Sequence, residues 1–419
     1  MGHIQDRWYR QAKDDTGQLQ FNGRGKPVLE KTELYGVGLR YKVRYLDPEG
    51  QERSKSFPDK QKKRADDFLL EVESDKREGK YVDPRAGKIS FKTVAERWVD
   101  AQTFDYTTRE RVKSRVANHL VPFFEGKSIG AIKPSDVQAW LRGLQARHVS
   151  PNSRVLYFTH LVSILSFAKE DKLIVTNPAQ AKSVTRPRED HNQVQPWSAE
   201  RAQAVLNALP HRYRPAVQIP TGLGLRQGEV FGFSLDDVDR ERNIVRVERQ
   251  VRIVGNELTF APPKRGKTRE VPIGAALLAD LDAYAVEFPP TLTTLPWVHP
   301  DGKPVVVNLL MVDRDGLPFR RGGFRLGVWR PALTRAGITA PTRADGMHAL
   351  RHLYASVLLD AGESVKALSG YLGHSNPGFT LRVYTHLMPT SHERTRAAVD
   401  GFFGNVFDLR KEPGRDQAA

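Results

Sequence analysis

The C-terminal half of the chain contains five short motifs that hold cationic side chains and one tyrosine. The motifs and their residues are TGLGLRQGE (Arg226), PPKRGKTREVPI (Lys264), HALRH (His348 and Arg351), LGHSNP (His374) and TLRVYTH (Tyr384). Arginines bind phosphate oxygens in a fork geometry and stabilise the charge that grows on them at a pentacoordinate phosphorus. A lysine or histidine can protonate a leaving oxygen, and a tyrosine can attack and hold the phosphoryl group. Together these residue types predict covalent cleavage of a phosphodiester.

The two histidines of HALRH, His348 and His352, are also candidates for a metal site. They lie four residues apart, on one face of a helix. Helical zinc proteases use this spacing with a glutamate directly after the first histidine, but here Ala349 follows. No third ligand is evident nearby, and the chain has no cysteine. We therefore expect no metal here, which leaves two interpretations: the pair packs in the core, or His348 faces a phosphate together with Arg351.

Two glycine-containing motifs do not fit nucleotide-binding patterns. RGKT lacks the required upstream glycine, because that position is Ala261, and TGLGLRQGE has Gln227 where the third glycine of a dinucleotide fingerprint should stand. We therefore expect neither an ATPase nor a dinucleotide-binding site.

The overall charge favours a polyanionic partner. The chain of 419 residues has a net charge of +16, and no apolar run approaches the roughly 20 residues that span a bilayer. The N-terminus, MGHIQDRWYRQ, has no apolar export segment. These features predict a cytoplasmic protein of two or three domains that meets nucleic acid and no membrane.

Residues 1–85 are predicted to form a small three-stranded sheet followed by a helix. In YGVGLRYKVRYLDPEGQERSKSFPDK, polar and apolar residues alternate on either side of DPEG, which is typical of a hairpin. Phe68, Leu69 and Val72 then follow at helical spacing. A basic sheet of this size fits a DNA major groove, although a solvated hairpin face is the alternative. The residues predicted to contact DNA are Arg40, Lys42 and Arg44.

Residues 90–185 are predicted to form a compact unit of four helices. Ser150-Pro151 indicates one helix start, and KPSD indicates another, with Ser135 as the N-cap and Asp136 in the first turn. The basic surface positions predicted to contact DNA are Lys113, Arg115 and Arg154.

Residues 195–405 are predicted to form a mainly helical domain with a small antiparallel sheet, which makes the whole chain a multidomain α+β protein. Lys264 is expected near the tip of a hairpin between two strand-like runs. The tail is assigned to 406–419, and its last ten residues, RKEPGRDQAA, are expected to be disordered. An apolar cluster near the C-terminus is expected to dock on a neighbouring copy or to pack on its own domain; its members are Phe402, Phe403, Val406 and Phe407.

The order and spacing of these motifs resemble the catalytic domain of the tyrosine recombinases, specifically the phage-type integrases. TGLGLRQGEV resembles the first-arginine motif, with Arg226 followed by the acidic Glu229. PKRGKTREVPI resembles the hairpin lysine motif, with Lys264 aligned and Lys267 a close rival. HALRH, LGHSNP and YTH resemble the boxes that hold His348, Arg351, His374 and the nucleophile Tyr384. Residues 1–85 resemble an arm-type DNA-binding domain more loosely, and 90–185 a core-binding domain.

The resemblance implies a site-specific DNA recombinase that integrates and excises a phage or mobile element. According to this resemblance, Tyr384 forms a 3′-phosphotyrosyl link, Arg226 and Arg351 bind the phosphate, and Lys264 protonates the 5′-oxygen. His348 and Arg351 face the scissile phosphate, and His348 helps to take the tyrosine proton. His352 supports the site from inside the fold, and His374 bonds a phosphate oxygen. The resemblance implies no cofactor, because the covalent link keeps the bond energy. The implied partners are double-stranded DNA at attachment sites, three further copies in a homotetramer, and a DNA-bending protein and an excision factor, in a bacterial cytoplasm at the nucleoid.

Three other functions remain open from the sequence. A type IB topoisomerase-like enzyme would relax plasmid DNA that lacks an attachment site. A tyrosine transposase would insert at many target sequences. A non-enzymatic DNA-binding protein would lose nothing when Tyr384 is replaced with phenylalanine.

Overall fold

The computed structural model describes residues 2–83, 85–190, 195–374, 376–384, 396–397 and 399–403. Tertiary contacts divide the chain into an N-terminal unit, residues 1–190, and a C-terminal unit, residues 191–419. The predicted tail, with Val406 and Phe407, lies outside the described residues, whereas Phe402 and Phe403 are exposed. Among the described residues, no helix has the length and apolar character needed to cross a membrane.

The hairpin predicted around DPEG is present and belongs to a three-stranded antiparallel sheet with the order β1-β4-β5. Tyr41, Val43 and Tyr45 alternate along β4 and face a core that helix α1 covers. A second hairpin, β2 with β3, is inserted between β1 and β4. The elements are β1 (His3–Asp6), β2 (Tyr9–Gln11), β3 (Leu29–Lys31), β4 (Tyr41–Leu46), β5 (Glu52–Phe57) and α1 (Lys62–Arg77).

The rest of the N-terminal unit is helical and has its own core. Trp140, Phe91 and Phe124 are among its fully buried side chains. The helices are α2 (Phe91–Ala101), α3 (Tyr106–Arg115), α4 (Val121–Phe124), α5 (Pro134–Ala146) and α6 (Pro151–Glu170). Ser150 caps α6 as predicted, because its side chain accepts a hydrogen bond from the Ser153 amide.

The predicted N-cap of α5 is wrong. Lys133, not Ser135, is the N-cap, and Pro134 takes the first helical position, where its fixed φ and missing N–H are tolerated. The carboxylate of Asp136 accepts the Lys133 amide at 2.9 Å, so an acidic side chain in the first turn caps the helix.

The C-terminal unit is mainly helical, with small antiparallel sheets of order β10-β7-β6, β8-β9 and β11-β12. Sequence analysis did not anticipate the β11-β12 hairpin. The strands are β6 (Val238–Asp239), β7 (Ile244–Val247), β8 (Gln250–Val254), β9 (Glu257–Ala261), β10 (Arg269–Pro272), β11 (Thr291–Pro296) and β12 (Pro304–Leu309). The helices are α7 (Ala199–Ala208), α8 (Pro215–Leu223), α9 (Gln227–Phe231), α10 (Ala275–Glu287), α11 (Arg321–Phe324), α12 (Arg330–Arg335), α13 (His348–Asp360), α14 (Val365–Leu372) and α15 (Pro377–Tyr384).

The prediction of a hairpin around Lys264 is also wrong. Strand β9 pairs with β8, whereas β10 pairs with β7, so Lys264 lies in a connection between two sheets. Pro262 and Pro263 follow β9 and have no backbone N–H to donate to a neighbouring strand. Arg265 and Gly266 then adopt φ of 68° and 69°, which turns the chain towards the other sheet.

Candidate active site

Arg226 is the N-cap of helix α9, directly after a left-handed turn. Gly224 ends α8 with φ 63°, and a Cβ atom there would lie 2.5 Å from the Tyr354 ring, so only glycine fits. Beyond this turn, Glu229 accepts the backbone N–H of Arg226 at 2.8 Å and the guanidinium Nη1 at 2.8 Å. The start of α9 thus fixes both the backbone and the side chain of Arg226.

Two arginines 125 positions apart in sequence donate to one backbone carbonyl, that of Leu372 at the end of α14. Arg226 Nη2 lies 3.0 Å from this oxygen, and Arg351 Nη2 donates to it as well. Arg351 Nη1 also donates to the Gly224 carbonyl at 2.6 Å. Burial and the neighbouring charge of Arg226 lower the pKa of Arg351 to about 9, which leaves it charged at neutral pH. The fold therefore brings two cations to one point.

Arg269 belongs to this cluster, although sequence analysis did not select it. Its Nη atoms lie 3.1 and 2.6 Å from the two carboxylate oxygens of Glu229, and its Nε donates to the Tyr371 carbonyl at 2.6 Å. Burial alone raises the pKa of Glu229, but the hydrogen bonds and charges of Arg269 and Arg226 outweigh it and lower that pKa to about 2. Glu229 is thus an ionised carboxylate shared by two arginines.

A strand pattern could have revealed Arg269. It stands two positions before Val271 in β10, so its side chain lies on the same face as a fully buried valine. An arginine on the apolar face of a strand needs a buried partner of opposite charge.

Tyr384 contacts the second histidine of HALRH. His352 Nδ1 and the Tyr384 hydroxyl lie 2.6 Å apart, and Tyr384 is 1% exposed. The His348 ring packs edge-on against His352, with centroids 4.6 Å apart. Burial raises the pKa of Tyr384 to about 12 and lowers that of His352 to about 4. The His348 side chain is exposed, and desolvation of its ring, followed by the charges of His352 and Arg351, lowers its pKa.

His374 follows α14 and reaches the same cluster. Its Nδ1 lies 2.7 Å from the Thr380 hydroxyl of α15, so this contact joins the histidine to the helix that carries Tyr384. Burial, followed by the charges of Arg351 and Arg226, lowers the pKa of His374 to about 3. The ring is neutral at neutral pH and can donate only one hydrogen bond.

Lys264 stands apart from this cluster. It is exposed in the turn Lys264–Gly266, and so is Lys267 just after it. No hydrogen bond or ion pair found among the described residues joins either lysine to the arginines or to Tyr384.

The predicted DNA-binding residues of the sheet differ in their surroundings. Arg40 is held by Asp6 and Asp59, each at 2.9 Å, and its guanidinium lies 4.8 Å from the centre of the Tyr9 ring. Lys42 and Arg44 alternate with the buried residues of β4 and therefore point away from the core. Contacts of these three residues with DNA remain predictions.

The predicted DNA-binding residues of the helical region lie on two helices. Lys113 is exposed near the end of α3, where Arg115 is half-buried, and Arg154 is half-buried in the first turn of α6. Their contacts with DNA also remain predictions. Within the described parts of the chain, no group of three or more histidine, cysteine or acidic side chains could hold a metal ion.

Family comparisons match both halves of the chain. The model of the phage integrase family matches residues 191–390, and the model of the phage integrase N-terminal SAM-like domain matches residues 90–145. A tyrosine recombinase XerC-like protein of Caldanaerobacter subterraneus is 26% identical over 279 residues, which are 63% of this chain and 70% of that protein.

Solved structures share the fold. The Tn1549 transposon integrase in complex with a circular intermediate DNA superposes with a TM-score of 0.62 at 18% identity, over 75% of this chain and 99% of that one. A lambda integrase tetramer bound to a Holliday junction superposes with a TM-score of 0.52 at 16% identity, over 80% of this chain and 93% of that one.

Proposed function

The chain belongs to the phage integrase family of tyrosine recombinases, and on that basis we propose that it cuts and rejoins double-stranded DNA at specific sites through a covalent link to Tyr384. The observation that carries this proposal is the convergence of Arg226 and Arg351 on the Leu372 carbonyl. A phosphate oxygen bound there would receive two fork-shaped donors that the fold has already oriented.

The phosphate would replace a weaker acceptor. The Leu372 carbonyl carries only a partial negative charge at the end of α14, whereas a phosphodiester carries a full one. Arg226 and Arg351 outnumber the single carboxylate of Glu229 even before Arg269 is counted, so the cluster has a surplus of positive charge. That surplus favours an anion and stabilises the extra charge of a pentacoordinate phosphorus.

The chemical step needs a nucleophile, a proton acceptor and a proton donor. Tyr384 is the proposed nucleophile, and its hydroxyl must become accessible to the phosphorus when DNA binds, because the side chain is buried without DNA. His374, neutral and fixed by Thr380, is proposed to donate to a phosphate oxygen. Lys264 is proposed to protonate the 5′-oxygen, which requires its exposed turn to close over the DNA.

The reaction conserves the energy of the phosphodiester. The Tyr384 oxygen bonds to phosphorus and the 5′-oxygen leaves as a hydroxyl; the 5′-hydroxyl of a second duplex then reverses the step. Exchange between two duplexes calls for four copies of the chain, and we propose a homotetramer on DNA. We propose further that it acts at the bacterial nucleoid, in the cytoplasm, with a DNA-bending protein and an excision factor.

A covalent-adduct assay tests the proposal. Wild-type protein, Tyr384→Phe and, as a matched control, Tyr213→Phe would be mixed with nicked DNA fragments taken from beside the gene, with no metal or ATP added. Tyr213 is a buried core tyrosine of the same unit. Denaturing gels should show protein joined to a DNA 3′ end in wild type and Tyr213→Phe alone. An adduct that survives in Tyr384→Phe would exclude Tyr384 as the nucleophile, and no adduct on DNA that the protein binds would favour a pure binding protein.

A further inference from the structure

We propose that Arg269 is a positioning residue for DNA cleavage: it neutralises Glu229 and so leaves the charge of Arg226 available to the phosphate. This inference rests on the function proposed above and adds a residue that the sequence motifs did not reveal. Arg269 is not proposed to touch the DNA, because its side chain is 6% exposed and all three of its guanidinium nitrogens donate inside the protein.

Two arginines share one buried carboxylate. Glu229 Oε1 accepts Nη1 of Arg226 at 2.8 Å and Nη1 of Arg269 at 3.1 Å. Its Oε2 accepts the backbone N–H of Arg226 at 2.8 Å and Nη2 of Arg269 at 2.6 Å. The Glu229 side chain is 0% exposed, so water cannot take the place of either partner. Arg269 thus holds from one side the carboxylate that orients Arg226 from the other.

The charge of Glu229 also bears on the phosphate. In a buried site, a carboxylate that pairs with one arginine alone cancels much of the attraction between that arginine and a second anion. With Arg269 present, the charge of Glu229 is already balanced, and Arg226 and Arg351 both remain positive towards the phosphate. A pentacoordinate phosphorus carries one more negative charge than the diester, so the loss of one net cation should slow the reaction more than it weakens DNA binding.

Arg269 also contacts the end of α14. Its Nε donates to the Tyr371 carbonyl at 2.6 Å, one residue before the shared Leu372 carbonyl. Gly373 then turns the chain with φ 60°, and a Cβ atom on it would lie only 3.1 Å from Arg269 Cδ. Arg269 therefore packs against the turn that leads to His374. One side chain thus links the start of α9 to the end of α14, where the phosphate is proposed to bind.

These contacts do not depend on the buried position of Tyr384. The hydrogen bonds of Arg269 run to Glu229 of α9 and to Tyr371 of α14. Tyr384, at the end of α15, is hydrogen-bonded to His352 of α13 instead. When DNA binds and Tyr384 becomes accessible, the pair of Arg269 and Glu229 should therefore stay in place.

The test compares single-turnover rates of adduct formation at saturating DNA, at a temperature well below each variant's thermal midpoint. Arg269→Met keeps the bulk of the side chain near its backbone but removes the charge and the donors. Arg249→Met is the matched control, because Arg249 is 15% exposed, pairs with Asp237 and donates to the Gly232 carbonyl in the same unit. We expect Arg269→Met to be slower by about 100-fold with DNA affinity changed only a few-fold, and Arg249→Met to keep the wild-type rate.

A conservative variant keeps the test valid if Arg269→Met does not fold. Arg269→Lys retains the positive charge but loses the planar fork that reaches both oxygens of Glu229. Its charge still balances the carboxylate, so we expect a smaller loss of rate, about 10-fold. Thermal unfolding shows which of the two variants is folded under the assay conditions.

Two double variants separate charge from packing. Glu229→Gln added to Arg269→Met removes the uncompensated carboxylate, so this double variant should recover about 10-fold of the lost rate. Arg226→Ala removes the side chain through which Arg269 is proposed to act. Adding Arg269→Met to Arg226→Ala should therefore slow the reaction by less than about 3-fold, far below the effect of Arg269→Met in the wild-type background.

A substrate with a methylphosphonate at the cleavage site gives an independent measurement. The methyl group replaces a charged non-bridging oxygen, so less negative charge has to be stabilised by Arg226 and Arg351. The deficit of Arg269→Met relative to wild type should shrink by about 10-fold or more on this substrate. Any deficit of Arg249→Met should be the same on both substrates, because loss of packing does not depend on the charge of the phosphate.

Four outcomes would overturn the inference. A wild-type rate in Arg269→Met would limit Arg269 to a role in stability, and equal slowing in Arg249→Met would indicate a general loss of packing. No recovery with Glu229→Gln would exclude the charge mechanism, and a full further loss in Arg226→Ala would show that Arg269 acts independently of Arg226. In each of these results Tyr384→Phe still forms no adduct, whereas failure of the proposed function would appear as an adduct in Tyr384→Phe.

Discussion

The cations of the candidate active site and Arg44 of the N-terminal sheet are held in opposite ways. Arg351 is 1% exposed and is bound by two backbone carbonyls, and Arg269 is paired with a carboxylate whose side chain is fully buried. Arg44 is paired with Glu52 through side chains that are 36% and 56% exposed. The first group is held by buried partners, whereas Arg44 is held by a partner that is exposed to water.

This difference separates two tasks. A buried charge must be compensated by hydrogen bonds or an opposite charge, so its geometry is part of the fold and its replacement is costly. An exposed charge is screened by salt within about 8–10 Å and contributes little to stability. The active-site cations are thus suited to stabilise charge at one atom, and the surface cations to attract a polyanion without fixing its position.

The largest effect should come from breaking the buried pair. Arg269→Leu leaves Glu229 with Arg226 alone, and breaking a buried ion pair typically costs about 3–5 kcal/mol. Arg242→Leu is the matched control, because Arg242 pairs with Glu270 on the exposed side of the same strand and should cost under about 1 kcal/mol. Hydrogen exchange of the slowest amides of the C-terminal unit measures the loss of unfolding free energy in both variants. Equal losses in the two variants would remove the distinction between buried and exposed cations.

The next effect should be catalytic. Arg351→Lys keeps the charge but loses the planar fork that reaches the Gly224 and Leu372 carbonyls. We expect the single-turnover rate of adduct formation to fall on the order of 10²–10³ fold, with DNA affinity nearly unchanged. Arg44→Lys should leave the rate unaltered. A full rate in Arg351→Lys would mean that charge alone, and not geometry, is needed at this position.

Acid should weaken the active-site region before the sheet. The lowered pKa values of His352 and His374 mean that the unfolded chain, with ordinary histidines, takes up protons below about pH 6.5 that these two side chains do not bind in the folded chain. Stability is therefore present above pH 6.5 and is lost as the pH falls towards 4, by up to about 1.4 kcal/mol per pH unit for each such group.

Regional hydrogen exchange at pH 7.5 and pH 5, corrected for the intrinsic rate, checks this prediction. The sheet contains Asp47 and Asp59, whose pKa values are lowered in the folded chain. Both therefore stay ionised at pH 5, so peptides of the sheet should keep their protection from exchange between pH 7.5 and pH 5. His374→Gln should reduce the acid sensitivity of the C-terminal unit. Equal losses of protection in the active-site region and the sheet would contradict the assignment of the acid sensitivity to the buried histidines.

The smallest effect should come from single surface cations. Lys113→Gln removes one exposed charge from α3 and should weaken DNA binding a few-fold, with the slope of log affinity against log salt smaller by about 0.9. Arg40→Gln should instead lower the stability of the sheet by about 1 kcal/mol, because Arg40 is held by Asp6 and Asp59. Filter binding across salt concentrations, with thermal unfolding, separates the two variants. A changed salt slope in Arg40→Gln would identify it as a phosphate contact.

Local signals in the sequence were sufficient for many elements. Alternation around DPEG predicted β4 and β5, helical spacing predicted α1, and Ser150 before Pro151 predicted the start of α6. Each of these elements depends on residues within a few positions of one another, so the local sequence is enough to predict it. The order of the cationic motifs likewise predicted the family that the comparisons show.

What only the tertiary structure decided involves residues far apart in sequence. Strand pairing separated β9 from β10 and so removed the predicted hairpin around Lys264. The shared carbonyl of Leu372, the pairing of Arg269 with Glu229, and the choice of His352 over His348 as the neighbour of Tyr384 all depend on how α9, β10, α13, α14 and α15 pack. The sequence determined which side chains are available for the chemistry, but a hydrogen bond requires approach within about 3 Å, and only long-range packing sets distances on that scale.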